Sequence, residues 1–375
     1  MIAETRSQVS VNEATLYVAF ELGKKGWKLA MTSGFGIAPV MRTVGSGEWA
    51  AVDRAIAYGR RRCGLPATAW VVSCYEAGRD GFWIHRALVT RGIANRVVDS
   101  SSIEVKRRAR RTKTDRLDAV KLVLMLVRVC AGDARVWNEV RVPSVAEEAA
   151  RHQSRERTAL TQEQTRLKNQ IRSWLATWGC AVPRRATGAW WATVRDWSGA
   201  PLLPAVQARL ERAHARLALV AAQIAGLTAA QRDAAATAPA TSPTHRLVQL
   251  KGLGATGAAI VIEEGLVWRS FRNRRQVGGL LGFAPTKYES GESSRDRGIS
   301  RAGNTRLQAV MVQLAWGWLR WQPSSALAQW YHARFGHGKR TRKIGIVALA
   351  RKLLIVLWRY VTTGVVPAGA VLRAA

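Results

Sequence analysis

The chain has 375 residues, with 58 Lys and Arg against 25 Asp and Glu, a formal net charge of +33. That surplus favours polyanionic partners, nucleic acid first and an anionic membrane surface second, while a hydrophobic fraction of 48% suffices for a core divided over two or three domains. The four cysteines, Cys63, Cys74, Cys130 and Cys180, show neither metal-ligand spacing nor a disulfide framework, which argues against zinc and fits a reducing cytoplasm.

The polar start, Met1 to Asn12, lacks the apolar stretch of a signal peptide. Leu16–Glu21 is a short apolar, aromatic run that predicts a strand, turning through Lys24–Gly26 into a hairpin partner at Trp27–Met31. Glu48–Arg62 has helical periodicity, and Ala67–Cys74 predicts a strand that ends at Tyr75-Glu76-Ala77-Gly78. Arg79–Arg91 reads as a helix, Ile93–Val98 as a further strand and Asp115–Val129 as a strong helix. A hairpin followed by alternating helices and strands predicts an α/β layered domain over residues 10–140.

Residues 145–235 change character. Leu160, Gln164, Leu167, Ile171, Trp174 and Trp178 follow a heptad seam. Past a break at Pro183 and Gly188, a second seam runs through Val206, Leu210, Ala213, Leu217, Val220, Ile224 and Leu227. The pair reads as a coiled-coil hairpin or dimerisation arm, or as two ordinary bundle helices. Residues 234–244, Ala-rich with Pro239 and Pro243, read as a linker to a compact, basic, mainly helical domain over 245–365. The apolar runs Leu117–Val129 and Ile344–Val356 are broken by Lys or Arg, so neither is expected to span a bilayer.

Three constellations carry chemistry. In the first, a basic run of Lys106, Arg107, Arg108, Arg110, Arg111 and Lys113 leads into Asp115 and Asp118, which lie on one helix face. Glu21 ends the first strand and Glu76 follows a later one, and strand ends converge on one rim of an α/β sheet. Four carboxylates there could hold magnesium against phosphate oxygens, or the aspartates could form a solvated face paired with Arg116. The second is Leu250-Lys-Gly-Leu-Gly254, where Gly252 and Gly254 permit a tight turn before a helix, either a phosphate-contacting helix-hairpin-helix turn or a plain helix entry. The third runs from Gly282 to Gly298. Its serines lie among Lys287, Arg295, Arg297 and, just beyond, Arg301, as an irregular polar loop or as a serine nucleophile with charge-neutralising arginines. Trp316, Trp318 and Trp321, near Arg320, are candidates for stacking on bases. No Ser-His-Asp order among the six histidines is compelling and no Gly-Lys-Ser or Gly-Lys-Thr phosphate loop is present, so neither a hydrolase triad nor ATP is expected.

Several of these pieces, in order, resemble the insertion-sequence-110 type of transposase, the RNA-guided serine recombinases with a DEDD acidic motif. They are Tyr75-Glu76-Ala77-Gly78, Lys113-Thr114-Asp115-Arg116-Leu117-Asp118-Ala119, Gly252-Leu253-Gly254, Gly282-Phe283-Ala284-Pro285 through Tyr288-Glu289-Ser290-Gly291, and Ser300-Arg301-Ala302-Gly303-Asn304. The resemblance covers about residues 15–140 and 245–365. It implies an RNase H-like (RuvC-type) N-terminal domain whose magnesium site includes Glu76, Asp115 and Asp118 as its second to fourth acids. It further implies Ser290 as the nucleophile of a 5′-phosphoserine intermediate, a structured bridge RNA joining donor and target DNA, and assembly of homodimers into a tetramer in the bacterial cytoplasm. The family's first acid is usually Asp; the aligned residue here is Glu21, which adds a methylene. The other functions open to such a chain are a Holliday-junction-like endonuclease that uses water, and a nucleic-acid-binding protein that has lost its chemistry.

Overall fold

Alternation of buried side chains builds the first sheet. Leu16, Val18 and Phe20 point to one face and Ala19 to the other, all at most 1% exposed, so β1 (Thr15–Leu22) is covered on both sides. The structure, a computed structural model, describes residues 14–78, 81–103, 115–133, 135–180, 188–267, 271–290, 293–300, 303–336 and 338–373, with backbone only at 101, 115, 285–290, 293–297 and 339–340. Two compact units divide the chain after Pro143.

In the first unit, β1 continues into β2 (Gly26–Thr32) and β3 (Val40–Gly45), then α1 (Trp49–Arg62), β4 (Trp70–Glu76), α2 (Trp83–Thr90), β5 (Ala94–Val98) and α3 (Asp115–Cys130). The sheet order is β3-β2-β1-β4-β5. β1, β2 and β3 pair antiparallel, whereas β1, β4 and β5 pair parallel. This mixed α/β arrangement is compatible with an RNase H-like domain. One face lies under α1, whose Gly59 comes so near the sheet that a Cβ there would sit 2.7 Å from Met31 Sδ. The other lies under α3, where Ala119, Leu122, Val123 and Leu126 meet Ala19, Val72 and Cys74. β3 is not expected from the sequence, β4 begins three residues after the start of its predicted strand, and α2 begins four residues after the start of its predicted helix.

The second unit opens with α4 (Val145–Thr177), entered through a capping box in which Ser144 and Glu147 satisfy each other's backbone. The short α5 (Trp190–Thr193) and α6 (Pro204–Ala236) follow. α4 and α6 run antiparallel: Arg157 Nε donates to Thr228 Oγ1 at one end, and Arg209 stacks on Trp174 near the other. Leu167, Ile171, Leu210, Ala213 and Val220 of the heptad seams are all buried, as is Leu175 beside them. α6 has the length and apolar composition to cross a membrane. The reading of apolar runs passes over it because its Ala-rich surface carries few large side chains.

The rest is helical around one short hairpin. It comprises α7 (Pro243–Gln249), α8 (Ala255–Val261) with a π-helical turn at Ile262–Leu266, α9 (Arg274–Gly279), β6 (Pro285–Ser290), β7 (Ser293–Ile299), α10 (Thr305–Trp321), α11 (Ala326–Phe335) and α12 (Lys339–Thr363). Its core joins Leu349, Leu353 and Leu357 of α12 to Leu307, Met311 and Trp318 of α10. The linker expected over 234–244 is shorter, since α6 continues through Ala236 and Pro243 already opens α7.

Candidate active site

The parallel register sets the first cluster. β1 and β4 match residue for residue up to Phe20↔Tyr75. One residue further on, neighbouring strands about 4.8 Å apart both carry a glutamate, Glu21 and Glu76. Strand alternation puts both on the face that carries Ala19 and Cys74, the face under α3. α3 runs against these strands. Its last residue, Cys130, lies near enough to Tyr17 to help burial raise that phenol's pKa. Midway, Cys74 Sγ approaches Leu122 O at 4.0 Å. The first turn of α3, with Asp115 and Asp118, is therefore carried toward the rim where Glu21 and Glu76 end their strands. The helix N-terminus favours negative charge there.

Placement on one rim is not a finished site. Among the described residues, no group of three His, Cys, Asp or Glu is close enough to hold a metal ion. The Asp115 side chain lies outside the described residues, as does the whole basic run of Lys106, Arg107, Arg108, Arg110, Arg111 and Lys113. Glu21 stands opposite Lys28, a cation, in the antiparallel register.

The serine-bearing segment is not the irregular loop of one reading. β6 and β7 pair from Pro285↔Ile299 to Ser290↔Ser293, with a register shift between Pro285 and Lys287. Pro285 is tolerated because it opens its strand, and Ser290 closes β6 at the turn end. Lys287, Arg295 and Arg297 lie on these two strands with side chains outside the described atoms, and Arg301 lies outside the described residues.

The base of this hairpin is pinned from several directions. Ser300 N donates to Ala284 O at 3.0 Å and Ser300 Oγ to Gly282 O at 3.0 Å. Asn304 N reaches Leu280 O at 3.2 Å, and Gln308 Nε2 reaches Leu281 O at 2.7 Å. Gly303 lies against this turn so tightly that a Cβ would meet Leu281 C at 2.5 Å and Gly282 N at 2.6 Å. Ser300, Gly303 and Asn304 thus clasp the base of the hairpin, and the glycine is required by close approach.

The second constellation forms a tight turn between α7 and α8. Gly252 has φ +93° and sits under Trp321, whose Cβ would lie 2.8 Å from an added side chain, so both the conformation and the space demand glycine. Gly254 is extended, precedes α8, and faces open space. Lys251 and Arg320 lie over the Trp321 ring at 6.0 and 5.2 Å. Trp321 and Trp316 are half-exposed, as base-stacking requires. Trp318 is corrected: it is 1% exposed, with its indole N–H donating to Ser325 Oγ at 2.8 Å, because it falls on the core stripe of α10.

One cluster is missing from the sequence reading. Glu264, in the π-helical turn, has a side chain with 0% exposure. Its Oε1 accepts from Arg155 Nε and Arg306 Nη1, both at 2.8 Å. Its Oε2 accepts from Arg151 and Arg155 at 3.2 Å and from Asn304 Nδ2 at 3.0 Å. Burial alone would raise this carboxyl, but the Arg155 hydrogen bond, the Arg151 charge and the Asn304 amide bring it down to about 2. Its neighbour Glu263 is pushed the other way, to about 7, by burial that outweighs Ser154 and the nearby arginines. Arg306 also donates to Thr158 Oγ1 at 3.0 Å and to Ser154 Oγ at 2.7 Å, and reaches Ser154 O. The available signal was two adjacent acids within an apolar stretch of a chain poor in acids.

Residues 244–330, which hold the Gly252 turn, the hairpin and its clasp, match the IS116/IS110/IS902 transposase family. The transposase-named protein y4rJ of Sinorhizobium fredii (strain NBRC 101917 / NGR234) is 37% identical over 388 residues, 99% of this chain and 98% of that protein. A transposase for insertion sequence element IS1328 from Yersinia enterocolitica is 28% identical over 219 residues, 56% of this chain and 62% of its own length. These likenesses define the class as transposase. Within it, the chain belongs to the IS116/IS110/IS902 family.

Proposed function

We propose that the protein cleaves and rejoins donor and target DNA through a covalent bond to Ser290, with magnesium held by Glu21, Glu76, Asp115 and Asp118 and a structured bridge RNA as guide. The observation that carries the reading is the position of Ser290 at the turn end of a hairpin whose base is clasped by Ser300, Gly303 and Asn304, inside the family-matched segment. A nucleophile on a self-paired hairpin can reach a bound backbone while its root stays fixed.

The chemistry balances without an external energy source. The Ser290 hydroxyl attacks a backbone phosphorus, the P–O3′ bond breaks, and the serine proton ends on the departing 3′ oxygen. The resulting 5′-phosphoserine is then attacked by the 3′ hydroxyl of the other DNA, which restores a phosphodiester and returns a proton to serine. One phosphodiester is lost and one gained, in keeping with the lack of an ATP loop. Magnesium, when bound, would neutralise phosphate charge and help deprotonate the hydroxyl. The shared rung of Glu21 and Glu76 and the first turn of α3 suit oxygen ligation of such an ion. The basic run at 106–113, with Lys287, Arg295, Arg297 and Arg301, would hold DNA or guide RNA by its phosphates. The Gly252–Gly254 turn would add backbone contacts. The α4–α6 pair would serve assembly of dimers into a tetramer, in which the acidic rim of one protomer serves the serine of another.

Ser290→Ala is the deciding variant. Incubated with the element's DNA ends and the flanking transcript in magnesium, the parent should form a covalent protein–DNA adduct visible after denaturing electrophoresis, and the variant none. An adduct that survives the substitution sinks the serine assignment. Cut ends without adduct in the parent point to a water-using junction nuclease, and binding without cutting to a protein that has lost its chemistry.

A further inference from the structure

We propose that Glu264 is a positioning residue that ties the root of the α4–α6 arm to the base of the Ser290 hairpin, so that the arm's seating sets the hairpin. The consequence for catalysis rests on the reading of Ser290 as nucleophile; the mechanical tie does not. Among the described residues, the hydrogen-bond partners of Glu264 are Arg151, Arg155, Asn304 and Arg306. Glu264 joins two sets of groups otherwise far apart in sequence. On one side are Arg151 and Arg155 of α4, with Ser154 and Thr158 reached through Arg306. On the other is Asn304, whose amide N–H bonds Glu264, whose backbone N–H holds Leu280 O, and whose Oδ1 caps α10 by accepting from Arg306 N and Leu307 N, both at 3.1 Å.

Asn304 is therefore shared. The same residue that closes the turn before β6 is oriented by the carboxylate that α4 grips. The grip is stiff because Arg155 engages both carboxylate oxygens, a bidentate pairing that fixes orientation as well as distance. The site of the grip is a π-helical turn, a wider coil that single-residue insertions leave in helices and that recurs where a backbone serves function. Three guanidiniums converge on one fully buried carboxylate, so loss of that carboxylate leaves their charges to repel one another and release α4. A purely space-filling role would need neither the amide nor the two-oxygen grip.

The test is hydrogen exchange on the full-length protein, followed by mass spectrometry of the peptides that cover 285–299. Arg155→Met removes an arm-side group 109 residues distant from Glu264 in sequence and leaves Arg151 and Arg306 in place. It should speed exchange across the hairpin about tenfold, with the α10 and α12 core unchanged. Glu264→Gln should do the same or more, and Arg155→Lys, which keeps charge but not the fork, should fall between parent and Arg155→Met. In the DNA assay, the Arg155→Met adduct should form more slowly by a similar factor at unchanged DNA affinity. Hairpin exchange equal to the parent in Arg155→Met overturns the tie, whether or not Glu264→Gln folds. A failure of the serine reading shows separately, as an adduct that persists in Ser290→Ala.

Discussion

Two small groups among the chain's 25 acids are treated in opposite ways. On the rim of the first unit, Glu21 and Glu76 stand side by side on neighbouring strands, where like charges repel unless a cation intervenes. In the second unit, Glu264 is wholly buried, and its two oxygens accept five hydrogen bonds from Arg151, Arg155, Asn304 and Arg306. The residue type is the same, but the compensation decides the use. A carboxylate whose lone pairs are taken by arginine is a fastener and has nothing left for a metal. The use proposed for the rim pair is the opposite one, oxygen ligation of a divalent ion.

Stability and activity should therefore respond in opposite senses in the two places. Glu264→Ala should have the largest effect, a loss of about 3–5 kcal/mol as three converging arginines lose their buried partner, read as a fall in the urea midpoint. The double change Asp115→Asn with Asp118→Asn should leave that midpoint nearly where it was while cutting strand exchange by about a hundredfold or more. Equal stability losses in the two variants would erase the distinction between fastener and ligand.

pH supplies a finer test. Glu264 has a depressed pKa of about 2, so its contribution is present above the ordinary carboxylate range near 4.5 and is lost as pH falls from there toward 2. Glu263 has a raised pKa of about 7, so the native state holds a proton that the unfolded chain has released, and stability falls as pH rises from about 4.5 to 7. Unfolding free energy should peak near pH 4.5, where the two windows meet, with slopes of at most about 1.4 kcal/mol per pH unit per proton. Glu263→Gln should flatten the upper limb alone. The smallest effect belongs to Glu21→Asp, which removes one methylene opposite Lys28 and should change the recombination rate a few-fold, about a factor of 3, with binding intact.

Much of the first unit was legible because its strands obey the period of two. Leu16, Val18 and Phe20 announce β1, and the apolar run at 71–75 announces β4. β3 escaped notice because Arg42 and Thr43 break its apolar pattern at a sheet edge. The heptads at 160–178 and 206–227 were readable for the same reason as β1, a period imposed by a partner. The β6–β7 hairpin was not, since Ser, Glu and Arg fill strands that pair only with each other. Of the candidate site, the common rim of Glu21 and Glu76 could be anticipated from strand ends alone. Glu264 could not, because the arginines that define it lie 109 and 113 residues away on α4.

The paired helices also have a mechanical meaning. From Arg155 at the clamp to Thr177 at the end of α4, the helix extends about 33 Å at 1.5 Å per residue. A tilt of about 10° at the root would sweep the far end by about 6 Å, nearly two steps of a DNA strand at 3.4 Å each. A lever of that length magnifies any play in its bearing into an error of register. The two-oxygen grip of Arg155 on Glu264 is the kind of bearing that keeps such a lever true.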